Sequence, residues 1–429
     1  MKNYEQFKNY KFLLYGLGLS NQAVQSFFDE HNFSYEVFVD DSNSSYDLTN
    51  IDIIIKSPGI FPDTKLLIDA AKLNKLVIND LELFSWFYPL AKFILVTGTN
   101  GKTSTSKMIS TIVTKKQKCY LGGNIGVPLF SLKSNKNFKD EIIVVETSSF
   151  MLQHCYSVKP IIYVLLNIGE HHLDYHKSFK EYFYQKTKLV FNLPKESLLI
   201  CPDEEIFINE FCSIDCNKVF FSNEIDGLNF KLIDDKLYYK EEVLYKINSY
   251  PIIPKHQLKN IMVATIVGLH LNISISKIRK ALEDLTYEDF RLQKVLKTDD
   301  VLIINDSKST NWNASLAALE SVNVNQEEFH WIVGGFGPSN ISMCHDMLSK
   351  VDCIHLIGQN KNDIRKELSN YDCEVSLYND LEDIIKNLHS NKNKQIILFS
   401  PASQSFDMYK NYIERGETFN KLINKYWHN

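Results

Sequence analysis

The glycine-rich stretch ILVTGTNGKTSTSK, residues 94–107, constrains the fold of this chain more than any other segment. An apolar run typical of a buried strand leads into glycines, and Lys102 and Thr103 then open a predicted helix. A phosphate loop of the usual G-x-x-x-x-G-K-[ST] form would need a glycine at position 96, which is Val96 here. The stretch therefore predicts a shortened phosphate loop that begins at Gly98.

The chemistry of this loop suits a polyphosphate. Glycines let backbone N–H groups approach phosphate oxygens, and the start of the following helix adds partial positive charge. Lys102 can bridge terminal phosphates, and the Thr103 hydroxyl can bind Mg²⁺. The alternative is an ordinary strand–helix turn with an incidental lysine. The predicted nucleotide contacts are Gly98, Thr99, Asn100, Gly101, Lys102, Thr103 and Ser104.

Length and composition limit the class of protein. A chain of 429 residues with 44% hydrophobic and 23% charged residues predicts a globular protein of several domains. Its net charge of −5 provides no basic field for nucleic acid. No apolar run reaches the ~20 residues of a membrane span, and the N-terminus does not look like a signal peptide. The eight cysteines lack zinc-site spacing, so we expect reduced thiols and a cytoplasmic protein without membrane contact.

Strands and helices alternate along the chain in the manner of parallel α/β domains. We predict three of them, near residues 1–90, 91–288 and 289–429, with β-hairpins over 218–252. In the first domain, the fragment GLGLSN resembles a dinucleotide fingerprint, but Asn21 stands where the third glycine would be. That departure disfavours NAD binding. The fragment is then either a plain strand–helix turn or a site for the phosphates of another nucleotide.

Two polar residues follow predicted strands of the second domain. Glu146 ends IIVVE, and His172 lies in LNIGEHHLDYH after the next strand. Ligands gather beyond the carboxyl ends of parallel strands, so both side chains are expected near the phosphate loop. Thr103, Glu146 and phosphate oxygens would suit Mg²⁺, whereas a histidine ligand would indicate a second, more tolerant metal position. Taken alone, a histidine such as His172 is more often an ordinary hydrogen-bonded polar residue than a metal ligand, and the polar strand ends in sequence favour the functional interpretation.

Six motifs in order, TGTNGKTS, GNIGVP, VETSSF, NIGEHHLDYH, NDSKSTN and SPASQSFDMYKNYIERGETF, resemble the Mur ligase family. The resemblance covers all three predicted domains. It implies an α/β protein with an N-terminal Rossmann-like UDP-binding domain, a central P-loop ATPase-like domain and a C-terminal Rossmann-like domain that binds the amino acid and closes on ATP. The segment SPASQSFDMYKNY is most similar to the D-glutamate-adding members.

The activity that this resemblance implies is ATP-dependent amide formation in peptidoglycan precursor synthesis. The carboxylate of UDP-N-acetylmuramoyl-L-alanine would attack the γ-phosphate and give an acyl phosphate. The amine of D-glutamate would then displace phosphate through a tetrahedral intermediate. The expected partners are these small molecules, and the expected state is a monomer.

The resemblance also assigns roles within the site. Lys102, His172 and Lys186 would be catalytic, and two Mg²⁺ ions would be held by Thr103, Glu146, His172 and Lys186. Lys186 matches a lysine that the family carbamylates, a change that replaces a repulsive ammonium beside Mg²⁺ by an anion. The alternative is an exposed helix lysine. Further ATP contacts would come from Asn260, Arg291 and Asp306.

Two further sets of positions match substrate-binding residues of the family. The UDP-sugar would contact Leu17, Gly18, Ser20, Asp40, Ser57, Asn124 and His172. The incoming amino acid would contact Lys308, Thr310, Ser405 and Tyr412.

Three departures from the family pattern bear on function. Met151 replaces a glutamine, Phe290 replaces a histidine, and Pro338 replaces the lysine that pairs with the side chain of D-glutamate. Lys308 could compensate, the acceptor could be another amino acid, or the ligase could be weak. A folylpolyglutamate synthase-like ligase and a non-catalytic nucleotide-binding module are the alternatives from other classes.

Overall fold

The computed structural model describes residues 3–39, 45–134, 137–169, 172–222, 228–233, 236–246, 255–284, 290–322, 324, 327–371 and 373–427. The chain divides into two compact units, Met1–Tyr245 with His256–Leu285 and Lys246–Lys255 with Thr286–Asn429. Each unit is described by itself below. The division into three domains therefore remains a prediction.

The first sheet of the N-terminal unit is parallel and has the strand order β2-β1-β3-β4. Its strands are β1 Lys11–Tyr15, β2 Ser34–Phe38, β3 Ile53–Lys56 and β4 Leu76–Ile78. Its helices are α1 Leu19–His31, α2 Lys65–Lys72 and α3 Asp80–Phe87. Asn21 closes the first turn, because its Nδ2 donates to the carbonyl oxygens of Gly16 and Ile55 at 2.8 and 2.9 Å.

The second sheet is also parallel, with the order β10-β9-β8-β5-β7-β6. Its strands are β5 Lys92–Thr97, β6 Cys119–Gly123, β7 Ile142–Glu146, β8 Ile162–Leu165, β9 Leu198–Pro202 and β10 Asn217–Phe221. Its helices are α4 Lys102–Thr114, α5 Ser149–Leu152, α6 Leu173–His176, α7 Phe179–Thr187 and α8 Glu205–Phe211. The central residues of β5, β7 and β8 are apolar and buried because helices cover both faces of a parallel sheet.

The prediction of β-hairpins over 218–252 is partly wrong. Strand β10 pairs in parallel with β9 and forms one edge of the second sheet. The two strands are joined by a helical crossover, which a parallel pair requires. The small sheet that follows contains β11 Phe230–Ile233, β12 Lys236–Tyr239 and β13 Glu242–Lys246, and β11 and β12 are antiparallel. Helices α9 Lys255–His270 and α10 Ile275–Glu283 complete the region. Residues 247–254 of the predicted hairpins lie outside the described residues.

The C-terminal unit has a sheet of order β14-β15-β19-β16-β17-β18, parallel except for β14. Its strands are β14 Gln293–Lys297, β15 Val301–Asn305, β16 Glu328–Val333, β17 Cys353–Leu356, β18 Glu374–Leu377 and β19 Gln395–Phe399. Its helices are α11 Trp312–Ser321, α12 His345–Leu348, α13 Lys361–Glu367, α14 Leu381–Ser390 and α15 Tyr412–Trp427.

The three larger sheets, parallel except for β14, confirm the predicted α/β class. All eight cysteines are free thiols, as their spacing predicts. Within the described part of the chain, no helix combines the length and apolar character needed to cross a membrane.

Candidate active site

The phosphate loop joins the carboxyl end of β5 to the first residue of α4. Gly101 adopts the left-handed conformation (φ 82°), and a Cβ atom there would lie 2.8 Å from Oδ1 of Asn260. Glycine is therefore required at this position by backbone conformation and by space. Asn260 therefore lies against the loop, while its contact with a nucleotide remains a prediction. One turn earlier on α9, the Oε1 atom of Gln257 is buried without a hydrogen-bond partner.

Asn167, just after β8, holds the loop from the adjacent strand. Its Oδ1 accepts hydrogen bonds from the backbone N–H groups of Thr99 and Asn100 at 3.1 and 2.9 Å, and its Nδ2 donates to the Asn100 carbonyl oxygen at 3.1 Å. Asn167 was not predicted as a site residue, although it is the polar residue that follows a predicted apolar strand in the sequence. The N–H groups at the start of α4 lack intrahelical partners and remain suited to phosphate oxygens.

Lys102 folds back over the loop. Its Nζ donates to the carbonyl oxygens of Gly98 and Thr99 at 2.9 and 2.8 Å. Burial lowers the pKa of this amine, and the nearby Glu146 carboxylate opposes that effect. The ammonium therefore lies over the loop, where the terminal phosphates of a nucleotide would need a cation.

Glu146 connects the loop to the segment that follows β6. Its Oε2 accepts a hydrogen bond from the Thr103 hydroxyl at 2.8 Å, and its Oε1 accepts one from Asn124 Nδ2 at 2.9 Å. The acid is 1% exposed. A hydroxyl and a carboxylate oxygen are ligands that Mg²⁺ prefers, so this pair fits the predicted metal position. Among the described residues, no group of three or more His, Cys, Asp or Glu side chains is placed to hold a metal.

Lys186 reaches the same loop from α7. Its Nζ donates to the Gly98 carbonyl oxygen at 2.9 Å and to the Thr97 hydroxyl at 3.2 Å. The residue is 1% exposed, so the alternative of an exposed helix lysine is wrong. Burial, and then repulsion by Lys102, lower the pKa of the Lys186 amine to about 7. A substantial fraction of the amine is therefore neutral near neutral pH.

His172 is exposed and has a left-handed backbone (φ 54°). Its ring centroid lies 4.7 Å from that of Phe150, which belongs to the helix after Glu146. The neighbouring residues 170 and 171 lie outside the described part of the chain. The structure thus places His172 beside the segment that carries Glu146, while its metal role remains a prediction.

A cavity of about 590 Å³ lies between the turns of the first sheet and the segment after β6. Four predicted sugar-nucleotide contacts line it, namely Gly18, Ser20, Ser57 and Asn124. Leu17 is not among the lining residues, and its carbonyl oxygen accepts a hydrogen bond from Gln22. Asp40 lies outside the described residues. Asn124 both lines the cavity and binds Glu146, so it connects the cavity to the phosphate loop.

In the C-terminal unit, Asp306 organises the loop after β15. Its Oδ2 accepts hydrogen bonds from the hydroxyls of Ser309 and Ser400, and its Oδ1 accepts one from the Leu292 backbone N–H at 3.0 Å. Burial raises the pKa of this carboxyl to about 6, although these hydrogen bonds oppose it. Arg291 lies near enough to favour its ionised form. Contacts of Arg291 and Asp306 with ATP remain predictions.

Arg415 ties together the segments that carry the predicted acceptor-binding residues. Its guanidinium donates to the carbonyl oxygen of Ser307 at 2.8 Å and to that of Ser403 at 2.9 Å. The Ser307 hydroxyl in turn donates to the Tyr412 carbonyl oxygen at 2.8 Å. The segments of Lys308, Thr310, Ser405 and Tyr412 are therefore fixed by one buried cation. Arg415 was not predicted as a functional residue. Its position on α15, one helical turn before the buried Phe419 and on the same face, indicates that it is buried.

Two of the three departures have a structural account in this unit. Phe290 packs closely on Gly416, where an added Cβ would lie 2.3 Å from the Cδ1 of its ring. Pro338 is exposed, and its carbonyl oxygen accepts a hydrogen bond from Trp312 Nε1 at 3.2 Å. The lysine expected at 338 is thus replaced by a residue that only shapes the turn.

Known proteins are similar to this chain in sequence and in fold. The family model of the Mur ligase middle domain matches residues 96–268. The UDP-N-acetylmuramoylalanine–D-glutamate ligase of Hydrogenobaculum sp. (strain Y04AAS1) is 33% identical over 97% of this chain and 99% of its own length. The protein of the same name from Aquifex aeolicus (strain VF5) is 32% identical over 96% of this chain and 98% of its own length.

Solved structures with the same fold are more distant in sequence. The UDP-N-acetylmuramate–alanine ligase of Thermotoga maritima has a TM-score of 0.59 at 16% identity, over 97% of this chain and 99% of that one. A ligase of the same organism, solved in complex with ADP, has a TM-score of 0.56 at 16% identity, over 99% of this chain and 97% of that one.

Proposed function

The chain belongs to the Mur ligase family, and we propose that it uses ATP to join D-glutamate to UDP-N-acetylmuramoyl-L-alanine in peptidoglycan precursor synthesis. Family members are ATP-dependent ligases that form amide bonds with small-molecule substrates. The two relatives described above, which match over nearly the whole chain, are named for this reaction. The observation that carries the proposal is the link through Asn124, which joins the cavity of about 590 Å³ to the Glu146 side of the phosphate loop.

The reaction must overcome repulsion between two anions. A free carboxylate is a poor electrophile, so its oxygen attacks the γ-phosphate of ATP, ADP leaves, and the resulting acyl phosphate carries a good leaving group. Lys102 and the N-terminus of α4 would hold the ATP phosphates, and Asn124 would orient the sugar nucleotide. The acceptor amine then adds to the acyl carbon, and the tetrahedral intermediate expels phosphate.

We propose that Thr103 and Glu146 hold one Mg²⁺ and that His172 and Lys186 contribute to a second. Bound Mg²⁺ would neutralise charge on the transferring phosphoryl group. For Lys186, we propose the carbamate, in which the amine nitrogen forms a bond to the carbon of CO₂ and loses a proton. Only a neutral amine can make this bond, and burial of Lys186 supplies neutral amine near pH 7. The carbamate oxygens would then replace an ammonium with a metal ligand.

The proposed division of labour follows the order of the sheets. The first sheet would bind the UDP-sugar and the second ATP, while the C-terminal unit would bind the amino acid and contribute Arg291 and Asp306 to ATP. We propose a cytoplasmic monomer with three domains near 1–90, 91–288 and 289–429. D-Glutamate is the proposed acceptor, with Lys308 supplying the positive charge that Pro338 does not. A different amino acid and a weak ligase are the two competing readings.

The test is ADP release by the purified protein with Mg²⁺, ATP, UDP-N-acetylmuramoyl-L-alanine and a panel of amino acids. D-Glutamate should give the fastest release, and release should require the sugar nucleotide. Equal rates with neutral D-amino acids would reject D-glutamate specificity. Activity with a folate instead of the sugar nucleotide would favour a folylpolyglutamate synthase-like ligase. ATP binding without turnover under every condition would indicate a non-catalytic module.

A further inference from the structure

Lys56, the last residue of β3, carries its ammonium inside the N-terminal unit. The residue is 1% exposed, and its Nζ lies 3.0 Å from the Tyr175 hydroxyl and 3.3 and 3.4 Å from the carbonyl oxygens of Ser57 and Pro58. Among the described residues, no carboxylate lies within ion-pair distance of it. Placing a cation in this position is costly, because neutral oxygens compensate desolvation only in part, and burial lowers the pKa of the Lys56 amine to about 7. A methionine would fill a similar volume without that cost.

The ammonium therefore has consequences for the loop that it contacts. Ser57–Phe61 forms one wall of the 590 Å³ cavity, and Lys56 itself is not among the lining residues. The Lys56 amine donates to two carbonyl oxygens of this loop, those of Ser57 and Pro58. In its protonated form it compensates the partial negative charge of these oxygens in a wall where an anionic sugar nucleotide would bind.

Tyr175 connects this wall to the His172 segment. Its hydroxyl accepts the hydrogen bond from Lys56 and lies 3.0 Å from the Ile60 carbonyl oxygen and 2.9 Å from Gln153 Oε1. Its ring centroid lies 5.4 Å from that of Phe61 and 4.2 Å from that of Phe150. Phe150 also contacts the ring of His172. Wall and histidine segment thus share one packed cluster.

We propose that Lys56 and Tyr175 are positioning residues that hold the Ser57–Phe61 wall against the His172 segment and thereby set the affinity for the sugar nucleotide. This inference rests on the proposed function for the identity of the ligand. Neither residue needs to touch the reacting atoms. Their effect acts through the shape and charge of the wall.

Calorimetry on the full chain tests this with two probes, UDP-N-acetylmuramoyl-L-alanine and ADP. Lys56→Met removes the ammonium and keeps the stem, and Tyr175→Phe removes only the hydroxyl. Each variant should raise the Kd of the sugar nucleotide roughly fivefold or more, which is the effect of losing one hydrogen bond that contributes about 1 kcal/mol. The Kd of ADP should stay within about twofold, and in turnover the KM of the sugar nucleotide should rise more than kcat falls.

Lys75→Met is the matched control. Its Nζ also donates to a backbone carbonyl oxygen near the first sheet, that of Ile51 at 2.7 Å, but Ile51 does not line the cavity, in contrast to Ser57 and Pro58. This variant should leave both Kd values unchanged. The double variant of Lys56 and Tyr175 should lose less affinity than the sum of the two single losses, because the two residues share one hydrogen bond. Additive losses would contradict a shared bridge.

Hydrogen exchange gives a readout that needs no ligand. In either variant, amides of residues 57–61 and 172–176 should both exchange faster than in the wild type. Faster exchange only around the altered residue, unchanged affinity in both variants, or equal weakening of sugar nucleotide and ADP would overturn the inference. Failure of the proposed function has a different signature, since it would show in the wild type as binding without turnover. A wild type that does not bind the sugar nucleotide would overturn both.

Discussion

The Lys186 amine lies 2.9 Å from the carbonyl oxygen of Gly98, although 88 positions separate the two residues in the chain. The contact brings a third element, α7, to a loop already formed by β5 and α4. It also explains why Lys186 is neutral in part near pH 7, because the approach to the loop buries its amine beside Lys102. The loop thus presents two amines with different surroundings to the place where phosphates would bind.

Replacing Lys186 by alanine should reduce turnover by at least about 100-fold, since both the metal ligand and the loop contact would be lost. A short-chain carboxylate such as acetate should restore part of the activity, because it can occupy the space of the carbamate. Lys180→Ala is the control, since Lys180 lies on the same helix but is exposed. Full activity of Lys186→Ala without acetate would falsify the role of this lysine.

Thr103 should act through its hydroxyl, which contacts Glu146 at 2.8 Å. Thr103→Val keeps the shape and removes the oxygen, so the Mg²⁺ concentration for half-maximal activity should rise about tenfold or more. Thr103→Ser keeps the hydroxyl and should remain close to wild type. The measurement is a magnesium titration of ADP release. Identical titration curves for the valine and serine variants would exclude Thr103 as a ligand.

Acceptor specificity should depend on the charge near Pro338. If Lys308 compensates for the missing lysine, Lys308→Met should raise the KM of D-glutamate about tenfold without changing that of a neutral D-amino acid. Pro338→Lys should recover most of this loss in the double variant. Lys392→Met, at an exposed lysine of the same unit, should have no effect. A Lys308→Met enzyme with unchanged D-glutamate kinetics would favour one of the other two readings.

A buried histidine pair should make the C-terminal unit sensitive to acid. Nδ1 of His330 lies 3.1 Å from Nε2 of His355. Burial lowers the pKa of both imidazoles, and Glu328 opposes the shift at both residues. At His355, repulsion by His330 adds to the effect of burial, and the pKa falls to about 3. The unfolded chain binds these protons near its ordinary pKa of about 6.5. The pair therefore contributes its full stability above pH ~6.5. Below that pH, the free energy of unfolding falls by up to about 1.4 kcal/mol per pH unit for each histidine.

Hydrogen exchange of the β16 amides at pH 7.5 and pH 5.0, corrected for the intrinsic rate, would measure this loss. His355→Leu should reduce the difference in unfolding free energy between the two pH values. His345→Leu, at an exposed histidine of the same unit, should not. An equal pH dependence in wild type and His355→Leu would show that the pair is not its source.

Features written in local sequence could be predicted, and features that depend on distant packing could not. The phosphate loop and the start of α4 follow from glycine spacing, and Glu146 follows from its place at the end of an apolar strand. Arg415 and Lys56 resemble surface cations in sequence, and only tertiary contacts show that they hold loops together. Strand β14 cannot be recognised from its sequence, because an edge strand is only partly buried and lacks the apolar run of its neighbours.

We expect the phosphate loop to deliver the γ-phosphoryl group of ATP to the carboxylate of UDP-N-acetylmuramoyl-L-alanine. The decisive experiment incubates the protein with both substrates and Mg²⁺, without any amino acid, and then adds hydroxylamine. A hydroxamate of the sugar nucleotide should form with an equal amount of ADP, and its yield should fall at least about 100-fold in Lys186→Ala. ADP release without hydroxamate, or no reaction at all in wild-type protein that binds both substrates, would contradict this expectation.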